Sequence, residues 1–352
     1  MPGHDIIVIG TSAGGLDALR RLAQGFPPDL PAAVFVVQHL APHVPSNLPA
    51  ILARSGALPA EHPTDGQVFE HGHIYVAPPG AHLLLEREHV RLSTGPRENR
   101  YRPAIDPLFR SAAVEYGPRV IGVVLTGALD DGTAGLRAIK QCGGIAVTQD
   151  PREAYNPSMP ESALAVVSVD ACLPLAKTPT YLAQMARESA PTEQQNPVSP
   201  LLRLEADIDA MRPGTDLAHH HLGAPSLYTC TECKGPLWEI DGGGQLRYRC
   251  QVGHAFSSDA LMVGQAEAVD VALWTALETL NQRAAIAEQM ATRARQNRRV
   301  NAARYFEEHA REANRKAQTV RRLLLGGDLR ETVINERITP ESAADAEVKP
   351  TC

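Results

Sequence analysis

No stretch of the 352-residue sequence approaches the roughly 20 consecutive apolar residues that cross a bilayer, although 43% of its residues are hydrophobic. Membrane insertion is therefore not expected. Positive charge is also scarce, since 34 Lys and Arg against 40 Asp and Glu leave a net charge of -6. That balance argues against a nucleic-acid partner, and a basic run such as Arg293–Arg299 reads as solvated helix surface. Met1–Ile9 carries neither a basic leader nor a cleavage site, so a cytoplasmic location is the expectation. Six cysteines without a secretion signal do not make a disulfide framework, and three of them crowd into Cys230–Cys250. Such crowding points to a metal.

What is present is a regular alternation. From Asp5 to about Ala186, short Val/Ile-rich runs alternate with helical stretches, the pattern of βα units around a mostly parallel, doubly wound α/β sheet. Helices are predicted over Gly14–Gln24, Asp106–Tyr116, Gly132–Gln141 and Thr178–Glu188, and Ile74–Val76, His82–Leu85 and Val90–Leu92 read as a small antiparallel insertion at one edge. The domains expected are a catalytic domain over 1–188, a proline-rich linker with a short helix over 189–226, a small zinc-ribbon-like module over 227–257, an α-helical hairpin over 258–326 and a disordered tail over 327–352. The histidine triplet His219–His221 reads as exposed loop.

Three apolar runs, Ile6–Ile9, Ala33–Val37 and Val120–Leu125, each end in a polar residue with chemistry. Ser12 lies in G-x-S-x-G, where small neighbours let a strand turn sharply into a helix and leave the hydroxyl exposed. The same loop is open to a second reading as an anion cradle, and to a third as a plain turn. His39 follows the second run and Asp130-Asp131 the third, so all belong at one rim of the sheet, where open α/β folds collect reactive groups. One aspartate is expected to orient the imidazole and the other to cap a helix; the residues alone do not say which. The order Ser, His, Asp differs from that of an α/β-hydrolase, which excludes that fold despite the pentapeptide.

Taken together, Ile9–Gly15, Val37–Leu40, Tyr75–Pro79, Tyr101–Ala112, Val124–Gly132 and Met159-Pro160 resemble the catalytic domain of the chemotaxis protein-glutamate methylesterase (CheB) family over roughly Asp5–Ala186. The resemblance implies Ser12 as nucleophile, His39 as base and Asp131 as orienting acid, with main-chain N–H groups at Ala13 and Ala128 as the oxyanion hole and Arg102, Arg110 and Met159 in the substrate region. It implies hydrolysis of glutamate γ-methyl esters on chemoreceptors or related signalling proteins, deamidation of glutamines by the same acyl transfer, and no cofactor for catalysis. Ala13 and Ala128-Leu129 depart from the family's usual Thr and Met-Gly, which removes side chains but keeps the backbone donors. The family's phosphorylatable receiver domain is not expected, since Ser12 lies so near Met1, and regulation must then come from elsewhere. The alternatives are a nucleotide- or phosphate-binding signalling protein and an inactive esterase-derived scaffold.

Cys230-x-x-Cys233, followed by Lys-Gly-Pro, is a knuckle pattern, and Cys250 and His254 can complete a Cys₃His set for a structural zinc ion. Farther on, apolar residues step four-three-four at Met262, Ala266, Val269, Leu273, Ala276 and Leu280, and again at Phe306, Ala310, Ala313, Ala317, Val320 and Leu324. These predict two helices turning near Gln296–Asn301, able to pack on each other, on a second copy or on another protein.

Overall fold

A computed structural model describes residues 3–40, 44–191, 197–215, 223–241 and 244–326. The apolar run Ile6–Thr11 (β1) is buried along its whole length, because helices cover both faces of the sheet it occupies. Odd and even positions feed separate cores: Ile6 and Val8 pack with the helices of one face, Ile7 and Ile9 with those of the other.

After β1 come α1 (Gly15–Gly25), β2 (Ala33–Gln38), α2 (Leu48–Ser55), β3 (Ala60–Glu61), β4 (Ile74–Val76), β5 (His82–Glu86) and β6 (His89–Ser93). Then follow α3 (Ile105–Tyr116), β7 (Val120–Val124), α4 (Thr133–Gln141), β8 (Ile145–Gln149), α5 (Ser158–Val166), β9 (Ala171–Leu173) and α6 (Thr178–Arg187). The main sheet has the order β3-β4-β2-β1-β7-β8-β9, and all its pairings are parallel. From β1 the chain builds outward in one direction through β2 and in the other through β7. The strand order therefore reverses beside β1, and an open α/β sheet leaves a crevice at that point, outside the carboxyl ends of its strands.

One strand differs from expectation. β5 and β6 do form an antiparallel hairpin, but Ile74–Val76 joins the parallel sheet between β2 and β3. Three apolar residues carry no period that separates a parallel partner from an antiparallel one.

The interdomain segment is also more than a tether. Its helix α7 (Pro200–Asp209), N-capped by the Ser199 hydroxyl on the Leu202 N–H (3.1 Å), buries Leu202, Glu205, Ile208 and Asp209. Beyond it, β10 (Ala224–Thr229), β11 (Pro236–Asp241), β12 (Leu246–Cys250) and β13 (Ala255–Ser257) form a four-stranded antiparallel sheet in sequential order. The described residues up to Leu261 belong to one compact unit. His219–His221 and 327–352 lie outside the described residues.

The second unit is helical. α8 (Ser258–Gln296) and α9 (Val300–Leu325) are antiparallel, bonded through Arg295 to Glu307 and Asn314 to Glu288. In α9 the buried positions include Ala310, Ala313 and Ala317, as the pattern predicts, whereas in α8 beyond its opening turns they are Leu277, Ala284, Ala287, Ala291 and Ala294. Met262 and Val269 are exposed, so the large apolar side chains early in α8 do not mark its seam; small alanines, which let two helices approach closely, do. α8 is long enough to cross a membrane, but its most apolar 18-residue window reaches a mean hydropathy of only 1.2.

Candidate active site and metal centre

The turn after β1 holds Ser12. Gly14 adopts φ 79°, left-handed backbone that costs glycine little, and becomes the N-cap of α1. Ser12 N–H donates to Thr126 O (3.0 Å), the Thr126 hydroxyl donates to Ala13 O (2.9 Å), and the Gln38 amide donates to Ser12 O (2.8 Å). The turn is thus tied to the ends of both neighbouring strands. Gly127 completes it: a Cβ there would lie 2.0 Å from the sulfur of Met159 and 3.0 Å from Ser12 Cβ.

His39 emerges where β2 ends, and its Nδ1 lies 3.1 Å from Ser12 Oγ while its Nε2 lies 2.7 Å from Asp131 Oδ2. Because an ionised carboxylate only accepts, the ring proton sits on Nε2, which leaves Nδ1 as the acceptor facing the hydroxyl. Tyr101 stacks on the imidazole with ring centroids 3.8 Å apart and planes at 8°. The ring is therefore held by a bond at each nitrogen and by a flat surface on one face.

Asp131 lies at the loop between β7 and α4 and is 2% exposed. Burial alone pushes a carboxyl upward, but the hydrogen bond and charge of His39, the Ile105 N–H and the Asn99 amide together bring Asp131 down to about 2. Its donors besides His39 are Ile105 N–H (2.8 Å), Asp106 N–H (3.3 Å), Asn99 Nδ2 (2.9 Å) and Gly132 N–H (3.1 Å). The first two belong to the opening turn of α3, whose free N–H groups favour an anion.

Asp130 faces elsewhere. It accepts from the Ser257 hydroxyl in β13 (2.7 Å) and from Gln245 Nε2 just before β12 (2.9 Å), and burial pushes its carboxyl up to about 6. The neighbour expected to cap α4 is instead an anchor for another part of the chain, and Gly132 takes the N-cap position.

Ser12, Ala13, His39, Tyr101, Arg102 and Ala128 are among the residues lining a cleft of about 500 Å³. Arg102 sits there with its guanidinium donating to Thr94 O and Gly95 O, both at 2.7 Å. The other residues assigned to a substrate region do not reach it. Arg110 is 1% exposed and bonded to Glu98 and to Asp209 (2.8 Å), so it is a buried ion-pair member. Met159 is fully buried behind Gly127 and supports the Ser12 turn from within. Asn99 was not singled out from sequence, and Tyr101 entered only as the first residue of the Tyr101–Ala112 segment, without a role; their partners are distant in the chain and only folding reveals them.

Away from this cleft, one ligand atom each from Cys230, Cys233, Cys250 and His254 fall within 4.8 Å of one another. Cys233 Sγ is 3.6 Å from Cys250 Sγ, which is 3.5 Å from His254 Nδ1. A disulfide would need about 2.05 Å between sulfurs, whereas a tetrahedron of about 2.3 Å Zn–S bonds has edges near 3.8 Å. The donor set and its spacing fit a four-coordinate zinc ion.

A hydroxyl, an imidazole and a buried carboxylate stand in series at the carboxyl rim of a parallel α/β sheet, the arrangement that acyl transfer by an activated serine would require. Residues 7–182 match the family model of the CheB methylesterase. A protein-glutamate methylesterase/protein-glutamine glutaminase of Anaeromyxobacter dehalogenans is 39% identical over 183 residues, 52% of this chain and 54% of that one. A Leptospira interrogans protein provisionally named for the same two activities is also 39% identical, over 49% of this chain and 91% of its own. The crystal structure of the Thermotoga maritima CheB methylesterase catalytic domain superposes with a TM-score of 0.50 at 32% identity, covering 52% of this chain and 99% of that one. The chain belongs to the CheB methylesterase family. It spans about half the length of the Anaeromyxobacter relative, and the antiparallel sheet and helical pair lie outside the matched residues.

Proposed function

We propose that the chain hydrolyses the γ-methyl esters of glutamate side chains on methylated chemoreceptors or related signalling proteins, and deamidates glutamines there by the same acyl transfer. The observation that carries this reading is the unbroken series from Ser12 Oγ through the His39 ring to Asp131, at 3.1 and 2.7 Å. The names of the relatives supply the class of substrate, a glutamate ester or a glutamine amide in a protein: both activities would pass through the same glutamyl ester on the nucleophile and end in glutamate.

In this reading His39 Nδ1 takes the Ser12 proton as Oγ attacks the ester carbonyl, and Asp131 stabilises the imidazolium through Nε2–H. The tetrahedral oxyanion lies against main-chain N–H groups at Ala13 and Ala128, which need no side chain to serve. The imidazolium then protonates the departing methoxide, releasing methanol and leaving a glutamyl-Ser12 ester. Water, deprotonated by His39, attacks that ester; its collapse returns the Ser12 hydroxyl and frees glutamate. Deamidation differs only in that ammonia leaves.

Cys230, Cys233, Cys250 and His254 would hold a structural zinc ion, leaving no coordination position for water and hence no part in the hydrolysis. Native mass spectrometry should find about one zinc per chain; a metal-free, folded protein would discard this assignment. The esterase reading is tested by methanol release from methylated receptors and by labelling of Ser12 with a fluorophosphonate. Full methanol release by Ser12→Ala would overturn it.

A further inference from the structure

Between the cleft and the antiparallel sheet lies the turn Glu98–Tyr101, closed by Tyr101 N–H to Glu98 O (2.9 Å). It touches both ends of the imidazole–carboxylate pair: Tyr101 stacks on His39, and Asn99 donates to Asp131. Asn99 is 4% exposed and its amide is fully engaged, Nδ2 giving to Asp131 (2.9 Å) and Asp106 (3.2 Å) while Oδ1 accepts from Ser257 N–H (2.8 Å). Since a backbone N–H can only donate and a carboxylate only accept, these partners fix which end of the amide faces which way. Asn99 also holds φ 49°, and Arg100 φ 73°. Adjacent non-glycine residues in left-handed backbone persist only where the surroundings over-determine them.

Those surroundings are the antiparallel sheet. Asn99 N–H donates to Ala255 O (2.8 Å) and Ala255 N–H to Arg97 O (3.2 Å), so the start of the turn runs along the edge of β13. Glu98, 3% exposed, is bonded to Arg110 and to Arg249 of β12 (3.4 Å). Ser257 meanwhile reaches Asp130 through its hydroxyl. The tandem aspartates thus divide the work: Asp131 faces the base, and Asp130 clasps the sheet that holds the turn.

We propose that the turn Glu98–Tyr101 is a positioning element for the hydroxyl–imidazole–carboxylate series, that Asn99 is its positioning residue for Asp131, and that the antiparallel sheet sets its geometry through Ser257. The inference rests on the esterase reading for its kinetic consequence, but its geometric core stands apart from the substrate. None of these residues touches the reacting atoms; each acts through His39 or Asp131.

The test uses the full chain, with methyl ester hydrolysis and the downfield proton resonance of His39 Nε2–H as parallel readouts. Asn99→Ala should lower kcat by about 10- to 100-fold with KM within about twofold, because a small displacement of the acid misaligns the base. The downfield resonance should shift or broaden. Tyr101→Ala should do the same to a lesser degree, and Tyr101→Phe, which keeps the stacked ring, should restore it. On the sheet side, Ser257→Ala should lower kcat by about threefold or more and move the resonance, and Ser257→Thr should recover both. Wild-type kcat and an unmoved resonance in folded Asn99→Ala would overturn the role of the turn. The same result in Ser257→Ala, which keeps the backbone N–H to Asn99 and loses only the hydroxyl bond to Asp130, would overturn the role of the Ser257–Asp130 clasp. If Asn99→Ala does not fold, the Tyr101 and Ser257 pairs decide. Absence of methanol release from the wild type would sink the esterase reading instead, while the resonance still reads the positioning.

Discussion

The seven-stranded sheet is clamped between two apolar layers, with every residue of β1 buried and side chains such as Leu22, Leu52, Phe35 and Phe109 filling the space on either side. The four-stranded sheet has nothing comparable. Its own core is Leu237, Tyr248, Phe256, Ala260 and Leu261 with Cys230 and Cys250 among them, and beside it Arg110, Arg247 and Arg249 are buried against Glu98, Glu205 and Asp209. A region this small buries little apolar surface, so paired charge supplements it, as would ligation of the metal proposed at its cysteine–histidine cluster. The same opposition is visible in two adjacent residues. Donors crowd Asp131 and pull its carboxyl down to about 2, whereas Asp130, buried with fewer donors, is pushed up to about 6. The larger sheet rests on two apolar layers; the smaller one adds buried ion pairs to a small apolar cluster.

The sharpest break in that contrast is at Ser12. Ser12→Ala should reduce methanol release by about 10⁴-fold or more while leaving the thermal midpoint unchanged, because the hydroxyl contributes little to either apolar layer. Arg249→Ala should do the reverse in kind. It strands Glu98, Glu205 and Asp209 with less positive charge and should cost about 3–5 kcal/mol in denaturant unfolding, as much as a Leu22→Ala cavity in the main sheet. If the arginine change proves neutral, the small sheet is not held by its ion pairs.

Metal removal comes next. Stripping the Cys230/Cys233/Cys250/His254 site should speed hydrogen exchange in β11 and β12 by about 100-fold and leave β1 and β7 protected. Equal exchange with and without chelator would place no stabilising role on the ion. The smallest effect is in pH dependence. A carboxyl lowered in the folded state, as at Asp131, contributes stability that is complete above its ordinary value and is lost as pH falls toward about 2. A carboxyl raised in the folded state acts oppositely, so the contribution of Asp130 is present below pH 4 and lost as pH rises through about 6. Asp130→Asn should therefore remove about 2–3 kcal/mol of stability loss between pH 4 and 7, measured by urea midpoints, and leave the midpoint at pH 4 nearly unchanged.

Much of the site was legible because each reactive residue ends a short apolar run, and parallel strands place such ends at one rim. Ser12, His39 and Asp131 needed only that rule, together with the family resemblance to choose between the aspartates. Arg110 was assigned to the substrate region because the resemblance carries only its place in a motif, and its partners Glu98 and Asp209 are visible only in the fold. Asn99 was missed because its meaning depends on Asp131 and Ser257, the latter 158 residues away. The seam of α8 was misplaced because its alanines are inconspicuous beside Met262 and Val269 until α9 is in place.

Sequence by itself determined the alternation of strands and helices, the polar residues that follow the apolar runs and the cysteine–histidine spacing, since periodicity, turn chemistry and ligand spacing are properties of neighbours along the chain. Only the tertiary structure decided that Ile74–Val76 runs parallel to β2, that Arg110 is buried, and that the small sheet grips the turn beside His39. Those outcomes depend on which desolvated donor meets which acceptor across long stretches of chain, and an unpaired partner in the interior costs too much for any arrangement but the matched one to survive.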